Sequence, residues 1–256
     1  MRILRLMLTG WVFTMKTNLR SGFMILTAVI QPVIFASIAF FMFQAGQRSG
    51  TLLYAAIGAG LMGIWSTTLF SSGGSLQWWR WQGFLEPLVA SPAPFALVLL
   101  PATLANATYG MYALGMTLAW GKLAFGIPLT FAHPWLFAVA VPATILSLGL
   151  LGFFLASSFV LYRHANALSN MLEYPVWLVT GVLVPLSLLP GWVRPIGWLL
   201  APAWGVRAIR DSALGGDPLP AIGMTLGLGA VYLALGAIFL TYFMRLARER
   251  ATLSLT

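Results

Sequence analysis

Few groups in this sequence could do chemistry: its 256 residues include five acids, two histidines and no cysteine. Acid–base catalysis needs titratable side chains that converge on one bond, and a metal centre needs a cluster of His, Cys or carboxylate ligands. The sequence has no HExxH, no GxSxG elbow and no paired carboxylates. Without cysteine, disulfides, thiolate chemistry and Cys-ligated metal are excluded, and no metal or catalytic residue is expected. His133 precedes Pro134 at the edge of one apolar run and His164 lies in a short loop, so both read as boundary residues. Asp211 reads as a local ion pair with its neighbour Arg210. Glu173 opens an apolar stretch, where a carboxylate must pair or reach water. Arg163 is the candidate partner for that structural ion pair. Glu86 lies in Gln77–Pro94, QWWRWQGFLEPLVASPAP. Trp78, Trp79 and Trp81 are explained as interface anchors, but an acid contributes little to topology. A short helix offering Arg80 and Glu86 to a partner protein accounts for it.

The elements that must position these residues are read from composition. The chain is 60% hydrophobic and 7% charged, against about 25% charged in soluble domains. Its mean hydropathy is +0.90. This is the composition of an all-α integral membrane protein. A helical span needs about 20 mostly apolar residues, and six stretches qualify: Gly22–Phe43, Leu52–Ser71, Phe95–Ala119, Trp135–Leu161, Leu172–Leu189 and Leu219–Phe243. They are too long, and alternate too little, for membrane β-strands. Six spans place both termini on one side. With that side cytoplasmic, nine basic residues fall inside and five outside, as the positive-inside rule requires. The net charge of +9 is scattered at span ends rather than gathered on a face. It therefore points to topology and lipid headgroups, not nucleic acid.

Residues 1–20 differ from the spans. At 100° per residue, Arg2, Arg5, Thr9, Lys16 and Arg20 fall within an arc of about 60°. Leu4, Met7, Leu8, Trp11 and Met15 lie opposite, with Thr14 and Asn18 blurring the apolar face. This predicts an amphipathic helix in the cytoplasmic interface, ahead of a membrane domain over 21–256. A signal peptide is the alternative, but no small-residue cleavage site is evident. Residues 190–218 are aromatic and apolar yet interrupted by proline. Re-entrant or interfacial helices on the outer face fit them, as does an aromatic-belt loop. Small-residue pairs at Ala56/Gly60, Ala59/Gly63 and Gly223/Gly227 have helix-packing spacing.

Two motifs match without context. Gly58-Ala-Gly60-Leu-Met-Gly63 satisfies GxGxxG but lies inside the second apolar run, with no strand before it. Gly115–Lys122 is one residue too long for a P-loop, and Leu123 replaces its Ser or Thr. The chain thus has no phosphate site of its own. Asn106-Ala-Thr108 has the glycosylation spacing but lies within a span.

Three strings together resemble the type-2 ABC-transporter permease family, the membrane subunits of bacterial exporters similar to the daunorubicin-resistance type. They are Arg80-Trp-Gln-Gly83-Phe-Leu85-Glu86-Pro-Leu88-Val-Ala-Ser91-Pro92, Gly181-Val-Leu-Val-Pro185 through Pro190, and Pro202 to Arg210. Phe84 stands where the family has Thr, and Pro87 directly follows the Glu. The resemblance implies a cytoplasmic coupling helix within 74–94. Arg80, Gly83, Leu85, Glu86, Leu88 and Ser91 would meet the ATPase, and Trp65 and Trp177 would flank the pathway. It implies two copies of a separate ATPase subunit, which carry ATP and magnesium, and a second permease, identical or not. The location implied is the bacterial inner membrane. Almost no intramembrane charge suits a hydrophobic or amphipathic cargo such as a drug; polysaccharide or teichoic-acid precursors are the alternative within the family. A membrane transferase or a non-catalytic scaffold are the readings outside it.

Overall fold

The computed structural model describes residues 2–45, 52–91, 94–160, 162, 164–182 and 189–250. Every regular element among them is helical. α1 spans Arg2–Arg20, α2 Gly22–Ala45 and α3 Leu52–Leu69. A π-helical turn, Phe70–Gly74, carries α3 without interruption into α4, Ser75–Trp81. α5 (Leu85–Ala90), α6 (Ala96–Tyr109) and α7 (Met111–Phe125) follow, then α8 (Pro134–Phe159) and α9 (Ala165–Val179). α10 (Val193–Trp198), α11 (Ala201–Leu214) and α12 (Leu219–Arg250) complete the chain.

Five segments among the described residues are long and apolar enough to cross a membrane: Met24–Met42, Leu52–Trp81, Ala96–Phe125, Pro134–Phe159 and Leu219–Leu246. They correspond to five of the six expected spans. The expected span Leu172–Leu189 is not among them. Its helix, α9, starts earlier, at Ala165, and covers 15 residues. It gives way at Thr180 to Gly181, whose φ of 77° is left-handed, and 183–188 lie outside the described residues. Residues 190–218 form two short helices, α10 and α11.

α8 is the centre of the bundle, with α6, α11 and α12 packed around it. The main core runs through α3, α8 and α11, from Ile57 and Ile64 to Leu148 and Ile209. A second core lies at one end of the bundle, where Leu76 and Leu85 meet Leu99, Phe153, Val160 and Met244. The GxGxxG glycines have a packing role. A Cβ on Gly58 would meet the Arg210 guanidinium at 2.7 Å, one on Gly60 would meet Leu114 of α7, and one on Gly63 would meet Ala113. α3 can thus approach α7 and α11 closely, as small residues allow in membranes. Gly223 and Gly227 have open space around them instead.

α1 lies against α6, on a face that shares Met7, Trp11 and Met15 with the one its hydropathy suggests but is rotated away from Leu4 and Leu8. The side turned inward carries Met7, Gly10, Trp11, Thr14, Met15 and Asn18, while Leu4 and Leu8 are exposed. Asn18 Nδ2 donates to Asn106 Oδ1 at 2.6 Å, and Trp11 Nε1 donates to Thr108 Oγ1 at 3.3 Å. Asn18, one of the two polar residues that blurred the apolar face, thus docks the helix, while the Thr14 hydroxyl donates to Gly10 O within α1.

Leu at position 63 must push α7 away from α3, an overpacking cost of about 1–3 kcal/mol. Gly63→Leu should lower the melting temperature in detergent, and Gly223→Leu, in open space, should leave it unchanged.

Candidate functional site

The segment around Glu86 forms an elbow. α4 ends at Trp81, and the chain turns at Gly83, where φ is 70°. The Gly83 N–H donates to Arg80 O at 3.0 Å and the Phe84 N–H to Trp79 O at 2.8 Å, the paired bonds of a Schellman stop. Pro87 does not bend α5. It is the third helical residue, where no intrahelical donor is required, and the Leu88 and Ser91 amides still reach Phe84 O and Pro87 O.

Of the expected partner contacts, Leu85 is 2% exposed and part of the second core. Leu88 packs against that core, Gly83 is exposed at the turn, and Ser91 closes α5 half-buried. Glu86 lies on α5 beyond Leu85. The side chains turned outward are Trp81, 72% exposed, and Phe84, 56% exposed. Arg80 turns inward: its guanidinium donates to Val160 O and Tyr162 O, each at 3.0 Å. Val160 is the C-cap of α8 and Tyr162 lies just past it, where the helix dipole favours a cation.

A second arginine does the same for α9. Arg210 of α11 is 7% exposed. It donates to Gly181 O at 2.7 Å, to Val182 O at 3.0 Å and to the Tyr54 hydroxyl at 2.8 Å. Its guanidinium carbon lies 3.5 Å from the centre of the Tyr54 ring, a cation–π contact. Burial pushes it down to about 10, while Tyr54 acts in the opposite direction, so it remains a cation at neutral pH. The expected Arg210–Asp211 pair does not form. Adjacent helical residues do not face each other, and Asp211 instead meets Arg207, one turn back, at 3.4 Å.

Arg163, the expected partner of Glu173, lies outside the described residues. Glu173 accepts a hydrogen bond from the Ser66 hydroxyl. Together with Gln31, Thr67, Asn106 and Asn170, and the apolar walls of Met24 and Phe70, they line a small cavity of about 160 Å³. Trp65 and Trp177 are 2% and 6% exposed and belong to the main core. Trp177 packs edge-on against Phe35 and Tyr174. Among the described residues no His, Asp or Glu cluster could hold a metal.

The model of the ABC-2 type transporter family matches residues 6–214, from within α1 to the end of α11. The chain belongs to this family. It is a multi-pass ABC permease subunit, a membrane transport component. No curated protein matches the chain. The match takes in the α4–α5 elbow and both arginine-capped helix ends of this ABC-2 permease. The two caps were missed in the sequence, and one signal was available. Arg210 is flanked by Ala208, Ile209, Ser212 and Ala213 in an apolar chain, and such a cation must find partners.

Arg210→Met leaves two carbonyls unmet, at about 1–3 kcal/mol each, and should lower the melting temperature of the permease sharply. Arg207→Ala, which breaks the half-exposed i,i+4 pair, should cost only about 0.3–0.5 kcal/mol.

Proposed function

We propose that this ABC-2 permease is the membrane half of an ATP-driven exporter of hydrophobic or amphipathic compounds. It sits in the bacterial inner membrane with both termini cytoplasmic, pairs with a second permease, and takes its energy from two separate ATPase subunits. α9 belongs to the sixth crossing. α1 and α10–α11 lie at the inner and outer interfaces.

The observation that carries this reading is the construction of the elbow. An ATPase must pass a displacement to the spans, and a contact on a slack loop would dissipate it. Leu76 and Leu85 fix the elbow to α6, α8 and α12 through the second core. Arg80 fixes it to the end of α8. Its outer side offers Trp81 and Phe84, aromatic residues of the kind that anchor interfaces. The residues expected at the contact then divide by task. Arg80, Leu85 and Leu88 hold the elbow in place. Gly83 makes the turn between its two helices. Glu86 and the aromatic knuckle engage a basic, apolar groove on the ATPase.

Glu86→Ala and Phe84→Ala should each reduce recovery of the ATPase with the permease, and transport-coupled hydrolysis, by about tenfold, roughly 1.4 kcal/mol of contact energy. The permease's melting temperature should not change. Leu85→Ala should instead destabilise the permease by about 2–5 kcal/mol. Wild-type recovery and coupling in both surface variants would overturn the reading.

A further inference from the structure

A larger cavity of about 570 Å³ lies between α1, α6 and the α3–α4 helix. Its walls are aromatic and neutral-polar, with Phe13, Trp78 and Trp79 facing Asn18, Gln77 and Asn166. It adjoins the small cavity beside Glu173: Met24, Phe70 and Asn106 line both. Among the described residues, Glu173 is the only acidic or basic side chain lining either space. Among the described residues its hydrogen bond comes from Ser66, and a carboxylate has acceptor capacity beyond one such bond.

From this geometry we infer that the two adjoining cavities form a binding site for an organic cation with an apolar body, an ammonium amphipath whose charged head meets Glu173. The larger space falls in the range of about 300–1,000 Å³ that holds drug-sized ligands. Aromatic faces at Trp78, Trp79 and Phe70 suit a flat apolar body and attract a cation in passing. Gln31, Asn106 and Asn170 offer amide oxygens to an ammonium, and Glu173 supplies the counter-charge. Glu173 is the one formal charge lining either space among the described residues, so its attraction favours an ammonium head over a neutral one. An anionic head, such as a lipid phosphate, meets like charge there and is disfavoured. The inference deepens the export reading by naming the class of cargo, and rests on that reading for the claim that the occupant is moved.

The test is binding to the full permease in maltoside micelles, without ATPase or nucleotide, so its outcome is independent of the coupling experiment. The probe is the fluorescent amine dansylcadaverine, and its uncharged N-acetyl derivative is the comparator. Wild type should bind the amine at least about tenfold more tightly than the comparator. Glu173→Gln keeps an oxygen for Ser66 and should abolish that preference. Ser66→Ala keeps the carboxylate and should retain it. Trp78→Ala should weaken both compounds alike. Added phosphatidylethanolamine that displaces the probe from wild type, where phosphatidylglycerol does not, identifies a lipid ammonium as the occupant. No displacement by either lipid identifies a soluble amine. Equal affinity for amine and comparator in wild type, or a preference that survives Glu173→Gln, would overturn the inference.

Discussion

A helix that ends away from water leaves four carbonyls facing its C-terminus, and within a bilayer nothing but protein can satisfy them. This permease places a guanidinium at two helix ends, on carbonyls of the C-cap or of the residues just beyond it. Arg80 covers the end of α8 through Val160 and Tyr162. Arg210 covers the end of α9 through Gly181 and Val182. Arginine suits both places because its planar fork donates to two acceptors at once and its charge opposes the negative end of the helix dipole. The surrounding sequence is shaped by these two contacts. Gly58 lacks a side chain so that the Arg210 guanidinium can reach past α3, and Tyr54 supplies both a hydroxyl and a ring face to it. The break between α10 and α11 obeys the same rule with a neutral partner. The Tyr232 hydroxyl donates to Leu199 O at 2.7 Å and accepts from the Ala201 N–H at 3.2 Å.

Polar groups elsewhere in the bundle act as fasteners rather than as chemistry. The Asn18–Asn106 bond seats α1 on α6. Trp120 Nε1 donates to Ser37 and ties α7 to α2. The Gln77 side chain accepts from the Asn166 amide where α4 meets the start of α9. In lipid there is little hydrophobic drive between helices, so close packing and bonds of this kind determine which helices adjoin. Glu173 differs because it is bound on one side and opens to a cavity on the other.

Hydropathy made much of the architecture legible, since long apolar runs in lipid have only one way to satisfy their backbone. Its failures have local causes. The second span was expected to end at Ser71 because Ser71-Ser72-Gly73-Gly74 reads as a terminator. The π turn carries the helix through it to Trp81. α9 was placed too late because Asn166, Ser169 and Asn170 hide its first turns from a hydropathy window. Ser169 and the Ala165 carbonyl lie against Gly73, where a Cβ would not fit. The elbow was legible as a special segment from Trp78, Arg80 and Glu86. Which of its side chains point outward was not, because that depends on a second core assembled from four distant helices. Arg210 was assigned to its sequence neighbour. Its partners lie 28 to 156 residues away, beyond any local pattern.

The π turn has a mechanical consequence. Leu52–Trp81 is a single rod of 30 residues, about 45 Å long at 1.5 Å per residue and longer than the hydrocarbon core of about 30 Å. Tyr54 clamps one end to Arg210, and Arg80 clamps the other to α8. Between the clamps lies one wide turn containing adjacent glycines, the place where the rod resists bending least. A torque applied at the elbow has no slack to take up at either clamp. Any bending of the rod would have to be taken up at Phe70–Gly74, and because Gly73 sits against Ser169 and the Ala165 carbonyl, it would carry the start of α9 with it.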